Sequence, residues 1–388
     1  MKLPVYLDSQ STTPVDPRVL VEMMPYFNER FGNAASTDHS YGSEASEAVE
    51  KGRDKIARCI NARSDDIIFT SGATESNNIA ILGTLARNED KRDHIITCVT
   101  EHKSVLDTCK HLEALQKHVT YIPVDKFGTI DLEQLENAIQ ENTALISVMV
   151  ANNEIGTIAP IEEIGEIARK YDILFHTDAA QAAGHIPLDV KKVKVDMVSI
   201  SAHKMYGPKG VGALFVRREN LAARPLPIVF GGGHEKGVRS GTLNVPGIVG
   251  FGKAFEIAVK EMQDENKRYE KWVKQMLEVF QDKAKPVEQN GHPWKRLSHN
   301  LNVSFEHVEN KALIHTMLDK LAISAGSACT TLSVEPSHVI LALGFGLERA
   351  HSATRIGLSR FNTEEEIDFA AGVIVKAVER LRKITNIV

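Results

Sequence analysis

The sequence predicts an α/β protein organised around a mainly parallel sheet. Two observations carry the prediction. Short apolar runs alternate with helical stretches between residues 66 and 216, and a charged, strongly helical composition begins near residue 254. Strands that alternate with helices need crossover connections, and crossovers make neighbouring strands parallel.

The elements follow in order. "IIF" at Ile67 is the first apolar run, and "SGATESNN" after it opens a helix, because Ile79, Leu82, Leu85 and Ala86 fall at helical spacing. "HIITCV" at His94, "ALISVMV" at Ala144, "ILFHTD" at Ile173, "DMVSIS" at Asp196 and "GALFV" at Gly212 supply further strands. Residues 254–283 read as one long helix, a spine leaving the sheet domain. A second compositional unit comes after it, with strand-like "LNVSF" at Leu301, a helix near 313–321 and a final helix near 367–384. The chain shows no internal repeat and no low-complexity segment.

Composition narrows the function classes. The 388 residues are 43% hydrophobic and 25% charged, ordinary for a soluble globular protein of two domains, or of one large domain with an appendage. Net charge is -5 and both signs are mixed along the chain, so no nucleic-acid stripe or polybasic membrane patch is expected. The clusters at 191–194 and 364–366 read as solvated faces. The opening "MKLPVYLDSQ" lacks the apolar core of a signal peptide, and no apolar run approaches the roughly 18 residues of a membrane span. A cytoplasmic protein is the expectation. Cys59, Cys98, Cys109 and Cys329 form no CxxC pair, which argues against a zinc knuckle or a disulfide framework.

In parallel sheets ligands bind beyond the carboxyl ends of the strands, so the residues just after each apolar run are informative. "IIFT" leads to Ser71-Gly72-Ala73-Thr74-Glu75-Ser76, small residues at a helix start. Such a start can hold an anion, and Ser71 or Thr74 can equally be a plain helix cap. "HIITCV" leads to Thr100-Glu101-His102, and "ALISVMV" to Ala151-Asn152-Asn153-Glu154. "ILFH" leads to Thr177-Asp178-Ala179-Ala180-Gln181, where a strand-end Asp needs a cation or several donors. "DMVSIS" leads to Ala202-His203-Lys204. The glycines of "GPKGVG" at Gly207 lack a GK[ST] ending and precede a strand, so a phosphate loop is discounted there.

Each of these residues alone has an ordinary structural explanation. Together they place a phosphate cradle, an aromatic ring, an amide, a carboxylate and a lysine along one sheet edge. Pyridoxal phosphate asks for that combination: a lysine for its Schiff base, an acid opposite the pyridine nitrogen and an anion site for the phosphate.

The sequence resembles the cysteine desulfurases of the IscS/NifS class, within the aminotransferase-like pyridoxal-phosphate enzymes. The resemblance runs from "YLDSQSTTPVDP" at Tyr6 to "RFNTEEEID" at Arg360. Its most specific blocks are "FTSGATESNN", "TEHKSVLDTC", "ANNEIGTIAPI", "SAHKMYGPKGVGAL", "GGGHEKGVRSGTLNV" and "SAGSACTTLSVEPSHV". It implies a fold-type I enzyme, with a large domain around a mainly parallel seven-stranded sheet and a smaller α+β C-terminal domain. The expected boundaries are 16–262 for the cofactor-binding domain, and 1–15 with 263–388 for the small one.

The resemblance also implies roles. Lys204 is the expected Schiff-base lysine, His102 stacks on the cofactor and moves protons, and Asp178 pairs with the pyridine nitrogen. Asn153 and Gln181 flank the phenolic oxygen, while Ala73, Thr74, Ser201 and His203 bind the phosphate. Thr242 reaches the phosphate of the neighbouring subunit, which implies a homodimer. Arg355 and Asn33, with Asn153, are expected to bind the substrate. Cys329 accepts sulfur as a persulfide while L-cysteine becomes L-alanine. The sulfur then passes to an iron–sulfur scaffold protein or, for tRNA thiolation, to another acceptor. No intrinsic metal is expected, Cys329 being at most a transient iron–sulfur ligand shared with a scaffold. Neither direct nucleic-acid binding nor a membrane partner is expected.

Cys329 also has a case from its own surroundings. Ser324-Ala325-Gly326-Ser327-Ala328 and Thr330-Thr331 give it a small, polar setting, whereas Cys98 sits in an apolar run. Cys59, Cys98 and Cys109 read as inert thiols.

The sequence departs from the family pattern at Ala34, Ala180 and Ala202, all small replacements beside retained functional residues. The chain ends at Val388, short of the tail with which close relatives often help dock the scaffold, and the expectation is either weaker docking or a tail missing from this sequence. Selenocysteine cleavage and another pyridoxal-phosphate lyase or transaminase reaction are the alternatives. A catalytically silent docking subunit is the rival of another class, and retention of both the lysine and the cysteine argues against it.

Overall fold

The computed structural model describes residues 1–88, 91–326 and 336–384. Twelve strands occur among them: β1 (Val5–Tyr6), β2 (Ile67–Thr70), β3 (His94–Cys98), β4 (His118–Ile122), β5 (Thr143–Ser147), β6 (Leu174–Asp178), β7 (Met197–Ser201), β8 (Gly212–Val216), β9 (Val287–Gln289), β10 (Asn300–Phe305), β11 (Leu321–Ala322) and β12 (Ala353–Gly357). A seven-stranded sheet has the order β2-β8-β7-β6-β5-β3-β4. Its pairs are parallel except those of β8, which runs antiparallel to β2 and β7. The mainly parallel sheet expected from the strand–helix alternation is therefore present.

The strands were recognisable because both faces of the sheet are covered, which makes their sequences continuously apolar. Side chains alternate between two cores. Phe69, Ile96, Ile146, Phe175, Val198 and Phe215 face one cluster. Ile68, Ile95, Leu145, Leu174, Met197 and Leu214 face the other. The second face is closed by Ile79, Ile81 and Leu85 of the helix Ala73–Asn88, and by Val105, Cys109 and Leu112 of the helix Lys103–Ala114. The strand β4 carries no apolar run, because it lies at the sheet edge and is only partly buried.

The expected spine is a 39-residue helix, Val245–Lys283, about 58 Å long at 1.5 Å per residue. It begins nine residues before the expected start, where Asn244 caps Gly247 and Pro246 sits in the first turn. Its first half buries Ile248, Phe251 and Phe255 against the sheet. Its second half buries Tyr269, Trp272, Met276 and Phe280 in a separate core with β10 and the helix Glu364–Ile384.

The helix expected near 313–321 runs Asn310–Thr316 instead. Leu321 and Ala322 form β11, paired in parallel with Val5 and Tyr6. Tertiary pairing overrides local propensity there. The N-terminal segment thus joins the C-terminal unit, and residues 8–13 pass from it to the carboxyl ends of the large sheet. Among the described residues, no helix is long and apolar enough to cross a membrane.

Candidate active site

A cavity of about 590 Å³ lies beyond the carboxyl ends of the parallel strands. Ala73, Thr74, His102, Asn153, Asp178, Gln181, Ser201, His203, Lys204 and Arg355, ten of the expected site residues, all line it. Asn33 and Thr242 do not; both are exposed, and the Asn33 side chain accepts from Ala35 N. Cys329 lies outside the described residues.

One end of the cavity is built from β2 and the start of the helix Ala73–Asn88. Gly72 has φ +154°, which L side chains rarely adopt. A Cβ on Gly212 would stand 2.6 Å from Gly72 Cα, so the two backbones need glycine to approach. Ser201 Oγ lies 3.6 Å from where a Gly72 Cβ would be. Glu75, in the first helical turn, accepts from Ser71 N at 2.5 Å and pairs with Arg239 at 2.7 Å, which offsets its charge. A helix N-terminus lined by small residues and a hydroxyl suits an anion.

Beside this cradle, His102 caps its helix: Nδ1 accepts from Ser104 N at 3.1 Å. The ring hydrogen of the neutral imidazole then sits on Nε2. Ser104 Oγ lies 2.8 Å from the same Nδ1 and accepts from Asn77 Nδ2 at 2.8 Å. Asn77 Nδ2 also donates to Asp178 Oδ2 at 2.7 Å, and Asp178 Oδ1 accepts from Ala180 N at 2.8 Å. Asn77 Oδ1 is buried without a partner. Burial holds the neighbouring Glu101 carboxyl well above the usual carboxylate range.

Lys204 follows β7, and its Nζ donates to the carbonyls of Gln10 and Ser11. Gln181 Nε2 donates to the same Gln10 carbonyl at 2.9 Å. Behind the lysine, His185 Nε2 donates to Lys204 O at 3.0 Å, and its ring stacks on His299 at 4.0 Å between centroids. His203 Nδ1 meets Thr12 Oγ1 at 3.0 Å. Burial, with Lys204 and Lys209 nearby, lowers the His203 imidazole to about 4.

Arg355 lies on β12, opposite Asn302 of β10, and is 1% exposed. Its Nη2 donates to Asp8 Oδ1 and Ser11 Oγ, both at 2.8 Å, and Nη1 donates to Asn153 O at 2.9 Å and Gly326 O at 3.0 Å. Its Nε is buried without a partner. The three described cysteines have raised thiol pKa values, Cys98 about 11 and Cys59 and Cys109 about 12, chiefly through burial.

Several lining residues were not singled out from the sequence as site residues: Gln10, Ser11, Thr12, Lys103, Gly326 and His338. Lys209 and Gly210, from the discounted "GPKGVG" loop, line the cavity as well. The loop leads into β8, as the apolar run at Gly212 predicted, yet it still walls the site.

Comparison with known proteins gives a consistent picture. The model of the aminotransferase class-V family matches residues 5–369. A protein named cysteine desulfurase IscS from Rickettsia africae is 49% identical over 385 residues, covering 99% of this chain and 93% of that protein. One of the same name from Rickettsia bellii is 49% identical over 383 residues, with the same coverage. Among solved structures, a NifS-like protein superposes with a TM-score of 0.91 at 38% identity, over 97% of this chain and 100% of that one. A structure described as SspA in complex with cysteine gives 0.80 at 37% identity, over 92% of this chain and 99% of that one.

Proposed function

The chain belongs to the class-V aminotransferase family and, within it, to the cysteine desulfurases, and from that premise we propose that it converts L-cysteine to L-alanine and carries the released sulfur as a persulfide on Cys329. The single observation that best supports this reading is the cavity itself, where Lys204, Asp178, His102, a helix N-terminus and a buried arginine converge.

The donor set fits pyridoxal phosphate: an amine, a carboxylate, an imidazole and a glycine-lined anion cradle in one volume. Bound there, the cofactor supplies an electron sink for charge developing on the substrate α-carbon. Lys204 is the residue that would carry it. Asp178, oriented by Asn77 and Ala180 N, would hold the hydrogen of the pyridine nitrogen. Ala73, Thr74, Ser201 and His203 would hold its phosphate, and Asn153 and Gln181 would stand beside its ring.

Arg355 and Asn153, which line the cavity, would position the substrate. Lys204 Nζ, freed when the substrate amine takes its place, would accept the α-proton, and His102 Nε2 would relay protons. The Cys329 thiolate attacks the substrate sulfur: an S–S bond forms, the C–S bond breaks, and the electron pair stays on the β-carbon, which is protonated to the methyl of alanine.

The same reading assigns 16–262 to a cofactor-binding domain, and 1–15 with 263–388 to a small domain, in line with the separate cores. It makes the protein a cytoplasmic homodimer in which Thr242, exposed on its own subunit, completes the partner's phosphate site. An iron–sulfur scaffold and a tRNA-thiolation protein are the acceptors it assigns.

The test is incubation of the purified, cofactor-loaded protein with L-cysteine and a reductant. Equal amounts of alanine and sulfide are expected. Pyruvate and ammonia, or no product, would overturn the reading.

A further inference from the structure

Residues 326 and 337, on either side of the segment that carries Cys329, both meet one buried side chain. Glu154 is 2% exposed and belongs to the turn after β5. Its Oε2 accepts from Ser337 Oγ at 2.5 Å. The same oxygen faces Gly326 so closely that a Cβ there would stand only 2.8 Å from it. Gly326 has φ +92°, a second reason for glycine at this position.

Glu154 is itself rigidly held. Its backbone N–H donates to Asn152 Oδ1 at 2.8 Å, and its carbonyl accepts from Asn300 and Asn302 at 3.2 and 3.0 Å. Neighbouring tethers reinforce both flanks. Arg355 Nη1 donates to Gly326 O at 3.0 Å, and His338 Nε2 donates to the carbonyl of Glu101, the residue before His102, at 3.1 Å. Ser337 also caps the helix His338–Ala342 through Ile340 N at 3.2 Å.

We propose that Glu154 is a positioning residue for sulfur transfer: by gripping Ser337 and abutting Gly326, it fixes both flanks of the Cys329 segment to the wall of the cavity. Chain connectivity gives the consequence. Cys329 follows Gly326, a residue that lines the site, by only three positions in sequence. Fixed flanks keep the thiol's effective concentration over the substrate high, and released flanks dilute it over many useless positions. The inference rests on Cys329 being the sulfur acceptor.

The experiment compares wild type, Glu154→Ala, Glu154→Gln and Ser337→Ala as cofactor-loaded proteins. Cofactor content and the absorbance change on adding L-cysteine report binding. Single-turnover alanine release, with mass spectrometry of the Cys329 peptide, reports sulfur transfer. Hydrogen exchange of peptides covering 324–342 reports the flanks. For Glu154→Ala, binding within about twofold of wild type and transfer about 10- to 100-fold slower are expected, the range for a lost bond to a charged group. Faster exchange confined to 324–342 should accompany it. Ser337→Ala should move the same way, and a Glu154→Ala/Ser337→Ala double variant measured beside them should be no worse than Glu154→Ala. Should Glu154→Ala not fold, Glu154→Gln and Ser337→Ala carry the test.

Transfer within about twofold of wild type in the variants would overturn the inference alone, as would equal losses of binding and transfer. A wild type that makes no alanine from L-cysteine would instead overturn the reading of function, and the inference with it.

Discussion

Asn77 donates from Nδ2 to Asp178 Oδ2 at 2.7 Å, and the same nitrogen lies 2.8 Å from Ser104 Oγ, which contacts His102 Nδ1. One amide thus links Asp178 to His102 by way of Ser104. It comes from the buried face of the helix Ala73–Asn88, whose N-terminus lines the same cavity. Three parts of the site are held in register by one helix.

Replacing Asn77 by Ala removes a donor to a carboxylate, an interaction of about 1.5–3 kcal/mol. Cofactor affinity should fall about 10- to 100-fold, read by absorbance titration, while the far-ultraviolet dichroism stays unchanged. Asn77→Asp sets a like charge against Asp178 and should bind more weakly still. Wild-type affinity in both variants would remove Asn77 from the site.

Borohydride reduction of the loaded protein should fix the cofactor's mass on the peptide containing Lys204. Lys204→Ala should show no such adduct. An equal adduct in the variant would move the attachment to another lysine.

Cys329→Ser should still bind pyridoxal phosphate and still change its spectrum when cysteine is added. Sulfide and alanine should both be lost, because a hydroxyl is barely ionised at neutral pH and is the poorer nucleophile. In wild type, mass spectrometry should find the extra sulfur on Cys329 alone. Thiols pushed up to about 11 or 12 by burial, such as Cys98, Cys59 and Cys109, are poor sulfur acceptors. Wild-type sulfide output from Cys329→Ser would mean another nucleophile and another reaction.

A stability prediction concerns the sheet edge. Arg53 pairs with Glu235 at 2.7 Å, and both are buried. Arg53 Nη1 donates to Ile67 O at 2.7 Å, and Glu235 Oε2 accepts from Phe69 N at 2.6 Å, so the pair covers the open edge of β2. Arg53→Met strands a buried carboxylate and should cost about 3–5 kcal/mol, seen as a lower urea midpoint at unchanged slope. A loss of stability below about 1 kcal/mol, the midpoint shift multiplied by the slope, would show that the pair is solvated.

The legible parts of this fold and site share a cause. Strands β2, β3, β5, β6, β7 and β8 are buried on both faces, so burial wrote itself into continuous apolar runs. Thr74, His102, Asp178 and Lys204 stood out because they end or follow such runs, where parallel sheets place ligands. Gln10 and Ser11 could not be found that way: they meet Lys204 across more than 190 residues of chain. Arg355 was legible only through the family resemblance, since it sits within a strand of the smaller unit. Asn77 reads in sequence as one of two adjacent polar residues on a helix, and only the packing shows which of them turns inward.

The last prediction is a loss of stability in mild acid. Burial pushes the His176 and His185 imidazoles down to about 4 and His299 well below 6.5. His176 lies between Ser147 Oγ and Ser199 Oγ, each 2.9 Å away, with the Asp178 charge acting weakly the other way. His185 and His299 face each other, and Arg360 adds to the repulsion of any charge on His185. In the unfolded chain each imidazole takes a proton as pH falls through about 6.5. The folded state resists protonation until about pH 4, so between these values the unfolded state binds more protons and stability drops with pH. One unit below 6.5, each such histidine costs about 1.4 kcal/mol. The urea midpoint should therefore be flat above pH 7 and fall steadily from pH 6.5 to 5. His299→Asn should flatten that fall, because it removes one titrating ring and relieves the other. A midpoint that stays constant from pH 7 to 5 would mean that these rings are already charged, or already wet, in the folded protein.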